Sequence, residues 1–242
     1  LKLTPDTLEA AVGPRTHWLM LNSPSNPSGA GYTALEYRAL MDVVRRHPHL
    51  WVLSDDIYEH IIYDDFAFAT PAAVAPDLKD RILTVNGVSK AHAMTGWRLG
   101  FCGGPAPLIK AMTVVQSQAT SAPCSISQAA AIAALDGDTA HLDKQRAAFQ
   151  KRRDFVVGAL RDIPGIACHR PQGAFYAFPD CRALIQERFE SDSALCRHLL
   201  EEAHVALVPG SAFGKPGHLR LSYAASDDDL KTALGRVANA LS

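Results

Sequence analysis

The chain has 242 residues, 48% of them hydrophobic and 20% charged, with 24 Lys and Arg against 25 Asp and Glu. That is enough apolar material for a sizeable core or two modest domains, and a formal net charge of -1 gives no electrostatic case for nucleic acid or an anionic membrane as partner. No apolar run approaches the ~20 residues that a membrane-spanning helix needs.

The pattern from Leu1 onward has the texture of the middle of an α/β domain, as expected of a fragment. A short helix is predicted from about Pro5 to Val12, then a buried strand from about His17 to Asn22. Thr33 and Glu36 form a T-x-x-E capping box, and Leu35, Ala39, Leu40, Val43 and Val44 give the helix behind it an apolar stripe. "LWVLSDD", "RILTVNG" and "RLGFCGG" read as further strands, with helices near 105 to 118 and 125 to 136. A long amphipathic helix is predicted from about Thr139 to Asp162. Its Lys151-Arg152-Arg153 run reads as a solvated face. Beyond it short strands ("GAFYAFP", "VALVPG", "HLRLSYA") alternate with helices starting near Ser191 and Ser226, the latter with an S-x-x-D cap completed by Asp229. The change of texture divides the chain into residues 1–151 and 152–242. Alternating helices and strands place both parts in the α/β class.

The cysteines, Cys102, Cys124, Cys168, Cys181 and Cys196, are odd in number and never spaced C-x-x-C. That fits reduced thiols of a cytoplasmic protein better than a disulfide framework or a zinc site.

Three loops each follow a predicted strand: "NSPSNPSGAG", "SDDIYEH" and "NGVSK". Ligands of α/β sheets sit beyond the carboxyl ends of strands, so Asn26, Asp55, Tyr58 and Lys90 are candidates for one site. Each alone has a plainer reading: Asn-Pro as a turn, an acid at a strand end as a helix cap, a lysine as a solvated charge. Their joint occurrence suits an aldehyde cofactor. Lys90 can form a Schiff base, Asp55 can hold a pyridine nitrogen protonated, Tyr58 and Asn26 can donate to a ring oxygen, and the planar fork of Arg98 suits a phosphate.

At this point "GVSKAHAMTGWRLG" resembles the pyridoxal-phosphate attachment signature of class I aminotransferases. "NSPSNPSG" resembles that family's Asn-Pro-x-Gly loop, "SDDIYEH" its Asp-x-x-Tyr segment, and "HLRLSYA" the C-terminal strand whose arginine takes the substrate α-carboxylate. The likeness runs along essentially the whole chain and is nearest to the bacterial aspartate and prephenate aminotransferase branch. It implies the type I fold of pyridoxal-phosphate-dependent transferases, with residues 1–151 as the remainder of the large cofactor-binding domain and 152–242 as the small C-terminal domain. It implies pyridoxal 5'-phosphate as cofactor and amino-acid and 2-oxo-acid substrates, aspartate or a related dicarboxylate with 2-oxoglutarate. It also implies a homodimer in the complete protein. By the same resemblance Lys90 is the Schiff-base lysine and proton shuttle, and Asp55 the pyridinium partner. Tyr58 and Asn26 are ligands of the ring oxygen, Ser89 and Arg98 lie on the phosphate side, and Arg220 with Asn26 holds the substrate carboxylate.

Two departures stand out. Many relatives carry a phosphate-binding serine three residues before the lysine, where this chain has Gly87. The family's upstream phosphate cup and ring-stacking aromatic have no counterpart ahead of Leu1, so the chain resembles roughly the last three-fifths of a family member. Other readings remain open at this stage: a lyase or synthase of the same fold, a cofactor-sensing domain of a transcription regulator, and an inert fragment.

Overall fold

Runs of alternating or continuous apolar residues between turn signals fold as strands, and the 3.6-residue stripes between them fold as helices that cover the sheet. A computed structural model describes residues 1–242. The order is α1 (Pro5–Ala11), β1 (Trp18–Asn22), α2 (Ala34–Arg46), β2 (Trp51–Asp55), α3 (Pro71–Val74), β3 (Ile82–Gly87), β4 (Gly100–Gly103), α4 (Ala106–Ala119), α5 (Ser125–Asp136) and α6 (Ala140–Arg161). After α6 come β5 (Tyr176–Ala177), α7 (Arg182–Arg188), α8 (Asp192–Ala203), β6 (Val208–Pro209), β7 (Leu219–Ser222) and α9 (Asp227–Leu241). No helix is long and apolar enough to cross a membrane. All five cysteines are free thiols, three of them buried.

Packing divides the chain into two units, one of residues 1–24 and 31–143, the other of residues 25–30 and 144–242. The division falls inside α6, as does the point between residues 151 and 152 at which the sequence changes texture.

The first unit is built on a four-stranded sheet in the order β1-β2-β3-β4, with β1, β2 and β3 parallel and β4 antiparallel to β3. The register sets Asn22 beside Asp55 and Asp55 beside Val85, so β1 and β2 end level and β3 runs on to Gly87. Helix α2 starts where its capping box predicts: Thr33 accepts from the Glu36 amide and Glu36 accepts from the Thr33 amide. Its buried face, Tyr37, Leu40, Met41, Val43 and Val44, packs with Leu19, Leu21, Val52 and Ile82 of the sheet. Burial of each aliphatic side chain contributes about 1.5–3 kcal/mol before the entropy of ordering is subtracted.

The second unit pairs a small antiparallel sheet, in the order β5-β7-β6, with helices. Val156, Val157 and Leu160 of α6, Leu195 and Leu199 of α8, and Leu230, Leu234 and Val237 of α9 are buried in it. Ser226 caps α9 by accepting from the Asp229 amide, and Asp227, Asp228 and Asp229 occupy the first turn, where negative charge suits the helix dipole.

One expectation fails here. Lys151 and Arg152 do lie on an outer face and pair with Asp227, but Arg153 is fully buried. The physical reason is helical phase. Arg153 stands four residues after Phe149 and three and four before Val156 and Val157, which are all buried, so it points inward with them. Helix α7 also forms where the sequence showed no helix.

Candidate active site

Each parallel strand of the first unit delivers one loop at its carboxyl end. Strand β2 alternates, with Val52 and Ser54 buried and Asp55 half-buried on the opposite face. The next residue, Asp56, turns back into the interior, where Ser54 Oγ donates to its Oδ1 at 2.6 Å. The two neighbouring acids are thereby given different tasks. Asp56 is buried structure, its carboxyl pushed up by burial. Asp55 is also pushed up, first by burial, while the Ile57 amide, donating at 3.2 Å, and the positive charge of Lys90 act in the opposite direction. Tyr58 is buried in the turn that follows, which is closed by bonds from the Glu59 amide to Asp56 O and from the Ile61 amide to Tyr58 O.

Lys90 lies in the turn after β3. Three bonds shape that turn: the Ala93 amide donates to Lys90 O, the Met94 amide to Val88 O, and Thr95 Oγ1 to Ser89 O at 2.9 Å. Arg98 ends the same segment in the left-handed region, at φ 51°, and its Nη1 donates to Thr95 O at 3.0 Å. The glycine three residues before Lys90 serves close backbone packing. Gly87 pairs with Gly100 across β3 and β4, and a Cβ on Gly87 would stand 3.1 Å from the Leu99 carbonyl oxygen. That crowding fits glycine, rather than serine, three residues before Lys90.

Asn26 and Arg220 meet in the second unit. Arg220 Nη1 donates to Asn26 Oδ1 at 3.1 Å. Strand β7 alternates as expected, with Leu219 and Leu221 buried and Arg220 and Ser222 on the other face. The guanidinium of Arg220 lies between two rings, its Cζ 5.0 Å from the Tyr176 centroid and 5.1 Å from that of Phe213. Both are within cation–π range. Arg220 Nε is buried and has no hydrogen-bond partner. A buried donor of this kind is costly unless a ligand satisfies it, and a carboxylate is the matching acceptor.

The structure therefore brings together Asp55 with Lys90, and Asn26 with Arg220. Tyr58, Ser89 and Arg98 lie in the same loops as the first pair. Tyr176 and Phe213 were not picked out from the sequence. "GAFYAFP" signalled a strand, but nothing in it showed that one ring would meet an arginine from another strand.

The chain matches the family model described as aminotransferase class I and II over residues 1–237. It is 57% identical over 245 residues to the aspartate aminotransferase of Rhizobium meliloti, covering 99% of this chain and 60% of that protein. To the aspartate/prephenate aminotransferase of Cereibacter sphaeroides it is 51% identical over 242 residues, covering 98% and 60%. The crystal structure of the aspartate aminotransferase from Rhizobium meliloti superposes with a TM-score of 0.96 at 56% identity, over 99% of this chain and 62% of that one. The chain thus spans about 60% of the length of these relatives. With a family match along nearly its whole length and a shared fold, the chain belongs to the class I and II aminotransferases.

Proposed function

We propose that the protein is a pyridoxal-phosphate-dependent aminotransferase, moving an amino group between an L-amino acid, aspartate or a related dicarboxylate, and a 2-oxo acid such as 2-oxoglutarate. The observation that carries this reading is the half-buried carboxyl of Asp55 held within the field of Lys90 at the ends of adjacent parallel strands. The donor set fits the cofactor: an amine for its aldehyde, a carboxyl already short of solvent for its ring nitrogen, hydroxyl and amide groups for its ring oxygen, and an arginine for its phosphate.

Pyridoxal phosphate supplies an aldehyde that takes up amines and a ring that accepts electron density from the substrate Cα. Lys90 Nζ would be the amine for that aldehyde and, when free, the base that carries the proton between Cα and the cofactor. Asp55 would be the partner of the ring nitrogen, since a cationic neighbour would offset the burial that pushes its carboxyl up. By the family resemblance Tyr58 and Asn26 would be the ligands of the ring oxygen, and Ser89 and Arg98 would lie on the phosphate side. The fork of Arg220 takes the substrate α-carboxylate. Asn26 and the two rings would set its plane. The protein works in the cytoplasm as a homodimer under this reading.

Borohydride reduction of the cofactor-loaded protein, followed by peptide mapping, tests the assignment. The cofactor is expected on the peptide that contains Lys90. Recovery on another lysine overturns it, as does a lack of turnover with aspartate and 2-oxoglutarate in the protein at its natural length.

A further inference from the structure

Arg153 is the largest side chain among the most deeply buried residues. Its Nε and Nη2 grip Asp154 Oδ1 at 2.9 and 2.8 Å, and its Nη1 donates to the carbonyl oxygen of Pro171 at 3.0 Å. That carbonyl belongs to the same planar trans peptide as the Gln172 amide, which donates to Gly29 O at 2.8 Å. The Gly173 amide adds a second bond to Gly29 O at 3.1 Å. One rigid peptide plane is thus clamped on one edge by Arg153 and holds Gly29 with the other.

Gly29 in turn closes the loop that carries Asn26. Its amide donates to Ser25 O at 2.7 Å, and the Ser25 amide donates to Ala30 O at 3.0 Å. Gly29 has φ +66°, and a Cβ there would stand 2.5 Å from Pro171 Cβ and 2.9 Å from Gly173 O, so the two loops meet with no room between them. Asn26 Oδ1 then accepts from Arg220. Polar contacts chained in a dry interior reinforce one another, and a change at one end is felt at the other.

We infer that Arg153 is a positioning residue for carboxylate binding: through the Pro171–Gln172 peptide and Gly29 it sets Asn26, and through Asn26 the plane of the Arg220 fork. The inference rests on the carboxylate role proposed for Arg220, and it is tested by binding rather than turnover so that the two can fail separately. Calorimetric titration of the cofactor-loaded protein at its natural length with maleate, a simple dicarboxylate, is the measurement, with thermal unfolding alongside.

Arg153→Met is expected to raise the Kd for maleate on the order of tenfold, and Arg153→Lys to recover part of that loss. Asp154 is half exposed and keeps Arg170 at 2.9 Å, so Arg153→Met leaves no buried carboxylate behind. Gly29→Ala breaks the same contact from the other side. It is expected to weaken maleate by a similar factor, and the double variant to be no weaker than the worse single one. A folded Arg153→Met protein with parental maleate affinity and only a lowered unfolding temperature overturns the inference, as does additivity in the cycle. Should Arg153→Met fail to fold, Gly29→Ala decides by the same criterion. Parental maleate binding with no transamination overturns the enzyme reading and leaves these affinities to judge Arg153.

Discussion

Arg220 and Asn26 are 194 residues apart in the chain and joined by a 3.1 Å hydrogen bond between Nη1 and Oδ1. That bond uses one of the five donors of the guanidinium and leaves the buried Nε without a partner.

Arg220→Lys should therefore weaken every amino-acid and 2-oxo-acid substrate. Lysine is a point charge without the fork, and loss of a buried charge partner costs about 2–5 kcal/mol. Steady-state kinetics across neutral, aromatic and dicarboxylic substrates check this. A penalty confined to dicarboxylates would assign Arg220 to the side-chain pocket, while cofactor retention should match the parent.

Asp55→Asn should slow proton removal from Cα severely, read as the single-turnover rate with aspartate, because a neutral amide no longer favours a protonated ring nitrogen. The cofactor-free protein should respond differently. Burial raises the Asp55 carboxyl, so the folded state binds its proton more tightly than the unfolded state. The resulting penalty is absent at acidic pH below both values and grows as pH rises through the window above the ordinary carboxylate range. Asp55→Asn should then raise the unfolding temperature at neutral pH, with the gain shrinking on acidification. A single-turnover rate equal to the parent's contradicts the assignment.

Lys90→Ala should retain cofactor, because Asp55, Tyr58, Ser89 and Arg98 remain, but should lose turnover, because no amine is left to carry the Cα proton. Absorption of the bound cofactor after gel filtration separates retention from activity. Loss of both together would show Lys90 to be a binding residue alone.

Thr33→Ala should lower stability by about 1 kcal/mol, within the range of about 0.5–2 for a lost N-cap. Thr33 Oγ1 accepts from the Glu36 amide at 3.2 Å, while Glu36 accepts from the Thr33 amide at 2.7 Å and from Lys2 at 2.9 Å. The midpoint of urea unfolding should fall at unchanged slope.

What could be read from the sequence was local. The Thr33–Glu36 box, the Ser226 cap, the strand that ends in Asp55 and the alternation around Arg220 each lie within a few residues, where helix and strand periods act directly. What could not be read depends on segments meeting across the fold. Arg153 looks like its neighbours Lys151 and Arg152 until the helical phase is tied to Phe149 and Val157. Tyr176 and Phe213 become a pair of plates only once Arg220 slides between them. Helix α7 buries little beyond Leu184, too small a stripe to stand out as a period.

Residues 25–30 pack with residues 144–242, although 24 residues precede them and the rest of the first unit follows. During synthesis this loop leaves the ribosome long before Gln172 and Gly173, the amides that hold Gly29, have been made. At ~5–20 residues per second the delay is on the order of ten seconds. Over that interval the Asn26 loop exists without the bonds that Gln172 and Gly173 give to Gly29. A C-terminal piece cut at the helix that divides the units would never form those bonds.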